Sequence, residues 1–158
     1  MLRHTSGLLA LWGMPPLAVI ALGLLTVNSV QVGSIQDDAW YIATATALAR
    51  GQGFVRPWTP MLLPETSLPP GYPLLLAPLR WLFPQTFFPL QMLSLLAMAA
   101  TVMLCVWYYR RRFKQPVAWL AALFLAVNVG IVQHSNVVMS EAAYMFMSMA
   151  VIVLHERR

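Results

Sequence analysis

Charge is what this sequence has least of. Five of its 158 residues are acidic, ten are lysine or arginine, and 9% are charged, against about 25% in an average soluble domain. Hydrophobic residues make up 59%. Such a chain cannot cover itself with solvated groups, so lipid is the expected solvent for most of it. The only cysteine, Cys105, lies inside an apolar run and excludes an intrachain disulfide. A glycine-rich phosphate loop is also missing. Gly51-Gln52-Gly53 follows a helical stretch rather than opening one, and reads as a stop and a turn. The net charge of +5 invites a nucleic-acid partner, but the distribution excludes it. Arg110-Arg111-Arg112 and Lys114 form one clump directly after an apolar run, as in a cytoplasmic membrane anchor.

What is present is a series of apolar runs. The expected fold is an all-α integral membrane protein, a single domain over residues 1–158 with about four transmembrane helices. The spans are expected at 8–30, 89–109, 116–132 and 137–154. Pro15-Pro16 would kink the first span or delay its first turn. A signal peptide competes for that run, since Arg3 and His4 precede it and Val27-Asn28-Ser29 loosely resembles a cleavage site. Its length favours a retained anchor. Asn128 in the third span is expected to face protein, because an unpaired amide in hydrocarbon is costly. Basic residues fix the orientation. Arg3, the arginine cluster and Arg157-Arg158 flank one side, so both termini are expected in the cytoplasm and loop 31–86 outside the plasma (inner) membrane.

The outer loop has structure of its own. Ser34 to Arg50 reads as a juxtamembrane helix, capped by Ser34, Asp37 or Asp38 and stopped at Arg50-Gly51. Pro57, Pro60, Pro64, Pro69 and Pro70 then exclude a continuous helix or a central strand. Leu74 to Phe83, interrupted by Pro78, is too short to span. It reads as an interfacial segment with Arg80 and Trp81 at headgroup level.

Asp37 and Asp38, with Glu141, place three of the five acids on the expected outer side. Acids at a helix N-terminus are favoured by the helix dipole, so capping alone accounts for each of them. Chemistry is the other account. Asp37-Asp38-Ala39-Trp40-Tyr41, then Leu48-Ala49-Arg50-Gly51, then Pro69-Pro70-Gly71-Tyr72-Pro73, resembles the first outer loop of GT-C class membrane glycosyltransferases, of the protein O-mannosyltransferase and aminoarabinose-transferase type. Ser140-Glu141 resembles the acid that those proteins place after the third span. The likeness runs in order and spacing through the whole chain, although each motif alone is weak, and Asp38 departs from the commoner Asp-Glu pair.

The resemblance implies transfer of a sugar from a polyprenyl-phosphate-linked donor to a protein, lipid or glycan acceptor at the outer face. It carries the role of general base to Asp37, with Asp38 and Glu141 as further catalytic acids. The chemistry is sound, because a hydroxyl attacking an anomeric carbon must lose its proton to a group within hydrogen-bond reach. Tyr41, Arg56 and Tyr72 are candidates for substrate contact, with packing as the competing account of each. A divalent metal among Asp37, Asp38, His134 and Glu141 is left open, and no full ligand set can be named. The ten methionines read as packing residues. Family members continue with many more spans, so the chain is expected to be an incomplete fragment, inactive alone, lacking an outer basic cluster for a donor phosphate. The rival is a non-catalytic polytopic membrane subunit or scaffold using its proline-rich outer loop to bind a partner. A transporter fragment ranks last, since no span carries a charge at mid-depth.

Overall fold

The computed structural model describes residues 3–28, 32–33 and 36–156. Among them the chain forms seven helices: α1 (Arg3–Thr26), α2 (Gln36–Ala49), α3 (Gly71–Leu82), α4 (Phe88–Arg112), α5 (Gln115–Ala126), α6 (Val129–Asn136) and α7 (Ser140–Glu156). The all-helical expectation holds and the number of spans does not. Among the described residues only one helix, α4 with 25 residues, is by itself long and apolar enough to cross a membrane. The expected third span is two short helices bent by 47°. The bend has a local cause: the Asn128 side chain accepts the Gly130 N–H at 2.9 Å and caps α6. Asn128 is therefore exposed at a break rather than buried against protein. The expected fourth span starts late, because Val137 is extended and α7 begins only at Ser140, leaving 17 residues. Along α1 the apolar stretch runs over Trp12–Thr26, with Pro15 and Pro16 inside the helix. Ser29, Val30, Ser34 and Arg157-Arg158 lie outside the described residues.

The helix α4 is the central strut, in contact with α1, α5, α6 and α7. Its buried face carries Leu95, Met98, Val102 and Val106, which pack on Val19 of α1 and on Ala118, Ala122 and Ala126 of α5. Gly23 lets α1 approach: a Cβ there would sit 2.4 Å from Leu95 Cδ1 and 3.2 Å from Ser135 Oγ. Polar groups close this end of the bundle. The Gln91 amide donates to the carbonyls of Asn28 (3.1 Å) and Asn136 (3.2 Å), and the Asn136 amide donates to Thr26 Oγ1 at 2.5 Å. At the other end Arg110 lies over Trp12, Arg111 over Trp107 and Arg112 over Tyr108, while Arg112 also pairs with Glu156. The start of α1 and the ends of α4 and α7 thus share one end of the bundle.

A second layer sits at the opposite end. Here α2 packs on α3 around Tyr41, Ile42, Ala45, Tyr72 and Leu76, with Leu90 of α4 and Val138 completing the core. α2 ends where the sequence says it should. Gly51 has φ +74°, its N–H reaches the Leu48 carbonyl at 3.0 Å, and the Gln52 N–H reaches that of Ala47 at 3.0 Å. This paired arrangement is a Schellman stop. The helix α3 runs on through Pro78 and turns Tyr72, Pro73, Leu76 and Arg80 inward. Trp81 is exposed, whereas Arg80 is buried. Between the two helices the proline-rich stretch forms no regular strand. One antiparallel bridge pairs Val55 with Pro64.

Candidate functional site

The site is assembled where the first turn of α2 meets the first turn of α7. Tyr41, one turn into α2, shares a hydrogen bond of 3.3 Å with Ser140 Oγ, the first residue of α7. Tyr72 of α3 stands edge-on to the Tyr41 ring, with centroids 5.1 Å apart, and shares a 3.4 Å hydrogen bond with Ser94 of α4. Four helices therefore converge on two buried phenols.

The three acids have different surroundings. Asp38 is fully buried. Its Oδ2 accepts the Gly33 N–H at 2.7 Å and its Oδ1 accepts the Ala39 N–H at 2.8 Å. It ties down the turn before α2, which is the capping role the sequence had left open. Asp37 is exposed, and its carboxylate bonds to no described residue. It lies four residues before Tyr41, so both fall on one face of α2. Glu141 is half-buried at the start of α7, and its Oε2 is buried without a hydrogen-bond partner. An unpaired buried carboxylate oxygen is costly and is a natural acceptor for an incoming donor.

Electrostatics link the members of this group. Burial pushes the Tyr72 hydroxyl up to about 12, and the nearby charges of Glu141, Tyr41 and Asp38 push the same way, against the Ser94 hydrogen bond. Tyr72 is thus a neutral hydrogen-bond donor at any physiological pH. Glu141 and Asp38, distant in sequence, both act on it. An apolar groove of about 340 Å³ leads away from the Tyr72–Ser94 pair between α3, α4 and α7, lined by Leu75, Leu93, Phe146 and Met147.

Other expected residues have other partners. Arg56 is engaged within its own loop: its guanidinium bonds Thr66 Oγ1 at 3.0 Å and pairs with Glu65 at 3.4 Å. Burial would raise the Glu65 pKa, but hydrogen bonds from Ser67 and the Arg56 charge outweigh it and hold the carboxyl below its usual value. His134 Nδ1 lies 2.8 Å from the Gly130 carbonyl on its own helix. Among the described residues no three His, Cys, Asp or Glu side chains are grouped to hold a metal ion. Sequence reasoning missed Ser94 as a member of the site. A lone serine in an apolar helix signals nothing until the helix facing it is known.

Comparison with protein-family models, with curated proteins and with solved structures gave no match.

Proposed function

We propose that the α2–α7 junction is the acidic site of a membrane glycosyltransferase that moves a sugar from a polyprenyl-phosphate-linked donor to an acceptor at the outer face. The observation that carries this reading is the Tyr41–Ser140 hydrogen bond. It ties the start of α7, which carries Glu141, to α2, whose first turn carries Asp37 and Asp38. Asp37, exposed and unpaired on the Tyr41 face, is the base that takes the acceptor proton. The free Oε2 of Glu141 accepts a hydrogen bond from acceptor or sugar and offsets positive charge on the reacting ring. Asp38 holds the turn and is not free to move a proton. The neutral Tyr72 phenol donates to substrate oxygen, and the apolar groove beside it suits an isoprenoid chain. In this reading α4 crosses the membrane with its arginine cluster in the cytoplasm and the α2–α3 layer outside.

The test is transfer of labelled sugar from polyprenyl-phosphate-linked hexose or pentose donors in membranes bearing the protein. Asp37→Asn should lower the rate by about 10²-fold or more, the usual worth of a general base. Glu141→Gln should also lower it. Rates near wild type in both variants would sink the reading.

A second reading has its own observation. The tip of the proline-rich loop exposes Trp58, Met61, Leu62 and Leu63 together, with Met61 82% exposed. A non-catalytic subunit or scaffold would use such an apolar tip to dock a partner.

A further inference from the structure

The face of α2 turned away from the carboxylates lines a separate cavity. Ala39, Ala43, Thr46, Ala47 and Arg50 recur there at helical spacing, around an open space of about 500 Å³. Arg80 from α3 and Trp58 from the loop complete its wall. Two guanidinium groups thus meet in one cavity, and neither Asp nor Glu is among the described residues that line it. The volume is in the range of small-ligand sites, about 300–1,000 Å³.

Arg80 is 8% exposed and held rigidly. Its Nε donates to Thr46 Oγ1 at 3.0 Å, its Nη2 to the Pro84 carbonyl at 3.0 Å and its Nη1 to the Thr86 carbonyl at 3.2 Å. Its plane lies 5.0 Å from the Phe87 ring centroid. These contacts satisfy hydrogen bonds and leave the positive charge uncompensated. Arg50 is exposed, and its guanidinium makes no hydrogen bond or ion pair with any described residue. Burial lowers the Arg80 pKa and the neighbouring Arg50 charge lowers it further, as expected of two cations with no anion between them. A buried cation is normally offset by an opposite charge, which the lining residues do not supply.

We propose that this cavity binds a phosphate-bearing ligand, with Arg50 and Arg80 facing the phosphate and Trp58 contacting the group attached to it. Two adjacent guanidinium groups match the charge and the several oxygens of a phosphate better than those of a single carboxylate. Trp58 stacks on Trp40 at 5.8 Å and remains 44% exposed, so a flat apolar face is fixed beside the cations. The site does not rest on sugar transfer, since binding here requires none of Asp37, Asp38 or Glu141. The two sites do meet: Gly33 lines the cavity while its N–H holds Asp38. Arg50 and Arg80 lie thirty positions apart in sequence, which is why neither reads as part of an outer basic cluster.

A soluble phosphate ester and a phospholipid headgroup share this chemistry, and the test separates them. The purified full chain in detergent micelles is titrated with phosphatidylglycerol, with zwitterionic phosphatidylcholine and with inorganic phosphate. Retained lipid is counted by native mass spectrometry, and phosphate is followed by phosphorus NMR line width. Arg50→Gln, at an exposed position that leaves the fold intact, should weaken binding about tenfold, and Arg50→Lys should restore part of it. The Arg110–Lys114 cluster also attracts anionic lipid, so the quantity read is the difference made by Arg50. An Arg50-dependent preference for phosphatidylglycerol identifies a headgroup. An Arg50-dependent broadening of phosphate identifies a soluble ester. If neither ligand depends on Arg50, the proposal is overturned.

Discussion

Adjacent residues in this chain do opposite things. Asp37 and Asp38 are indistinguishable by composition, yet a 100° step around α2 puts one in solvent and the other in the core. Of the two accounts that the sequence offered for this pair, capping is met by Asp38, whose carboxylate accepts the Gly33 and Ala39 N–H groups, while the Asp37 carboxylate is left in solvent. Tyr72 offers a test at the scale of one residue. Its hydroxyl has an ordinary pKa of 10.0 and is pushed up to about 12 in the fold, chiefly by burial. The folded state therefore holds this proton more tightly than the unfolded state does. Its contribution is fully present below pH 10 and is lost as pH rises toward 12, by roughly 1.4 kcal/mol per unit. Chemical-denaturation midpoints of the wild-type chain should fall across that window. In Tyr72→Phe the fall should be shallower, and an identical pH profile in both proteins would remove the argument.

The elements follow local rules wherever a local rule exists. The Schellman stop at Gly51 is written in the sequence, because only glycine adopts φ +74° without a Cβ penalty. Gly51→Ala should cost about 1–2 kcal/mol and fray the last turn of α2. Thermal unfolding and the amide exchange rate at Gln52 would register this, and an unchanged exchange rate would argue against the motif. The proline-rich stretch likewise avoids helix and strand, as its five prolines require. Local rules failed at Asn128. An amide in an apolar run was expected to seek protein inside one continuous helix. Instead it caps a new helix and bends the path by 47°. Capping by Asn and its hydrogen bonding within the bundle answer the same need, and the apolar run around it does not tell which of them the side chain takes. Pro78 is the reverse case. It was expected to interrupt its segment, but packing of Tyr72, Leu76 and Arg80 against α2 carries α3 through it.

For the molecule as a whole, one end carries the Arg110–Lys114 cluster, with Glu156 paired to it, and the other carries Asp37, Asp38, Glu65 and Glu141. The proposed orientation puts Met61 outside and Lys114 in the cytoplasm, and single-cysteine variants can test it. On a Cys105→Ala background, a membrane-impermeant maleimide should modify Met61→Cys in intact cells. Lys114→Cys should react only after permeabilisation. The opposite pattern would invert the orientation. Equal reaction of both in intact cells would argue that α4 does not cross.

Composition by itself determined that this chain is apolar and helical, and turn chemistry determined where α2 and the proline-rich loop stop. Those properties depend on side-chain hydration and on φ/ψ preferences, which each residue carries with it. The chain's apolar runs were legible and its spans were not, because a run's length does not reveal a cap that breaks it or a late start such as that at Ser140. Tertiary structure alone decided the sites. Glu141 and Asp38 both come to act on Tyr72 through the packing of α2, α3 and α7, and Arg50 meets Arg80 through the packing of α2 on α3. Such encounters depend on the faces two helices turn toward each other. Sequence order does not encode that separation until the core between them has formed.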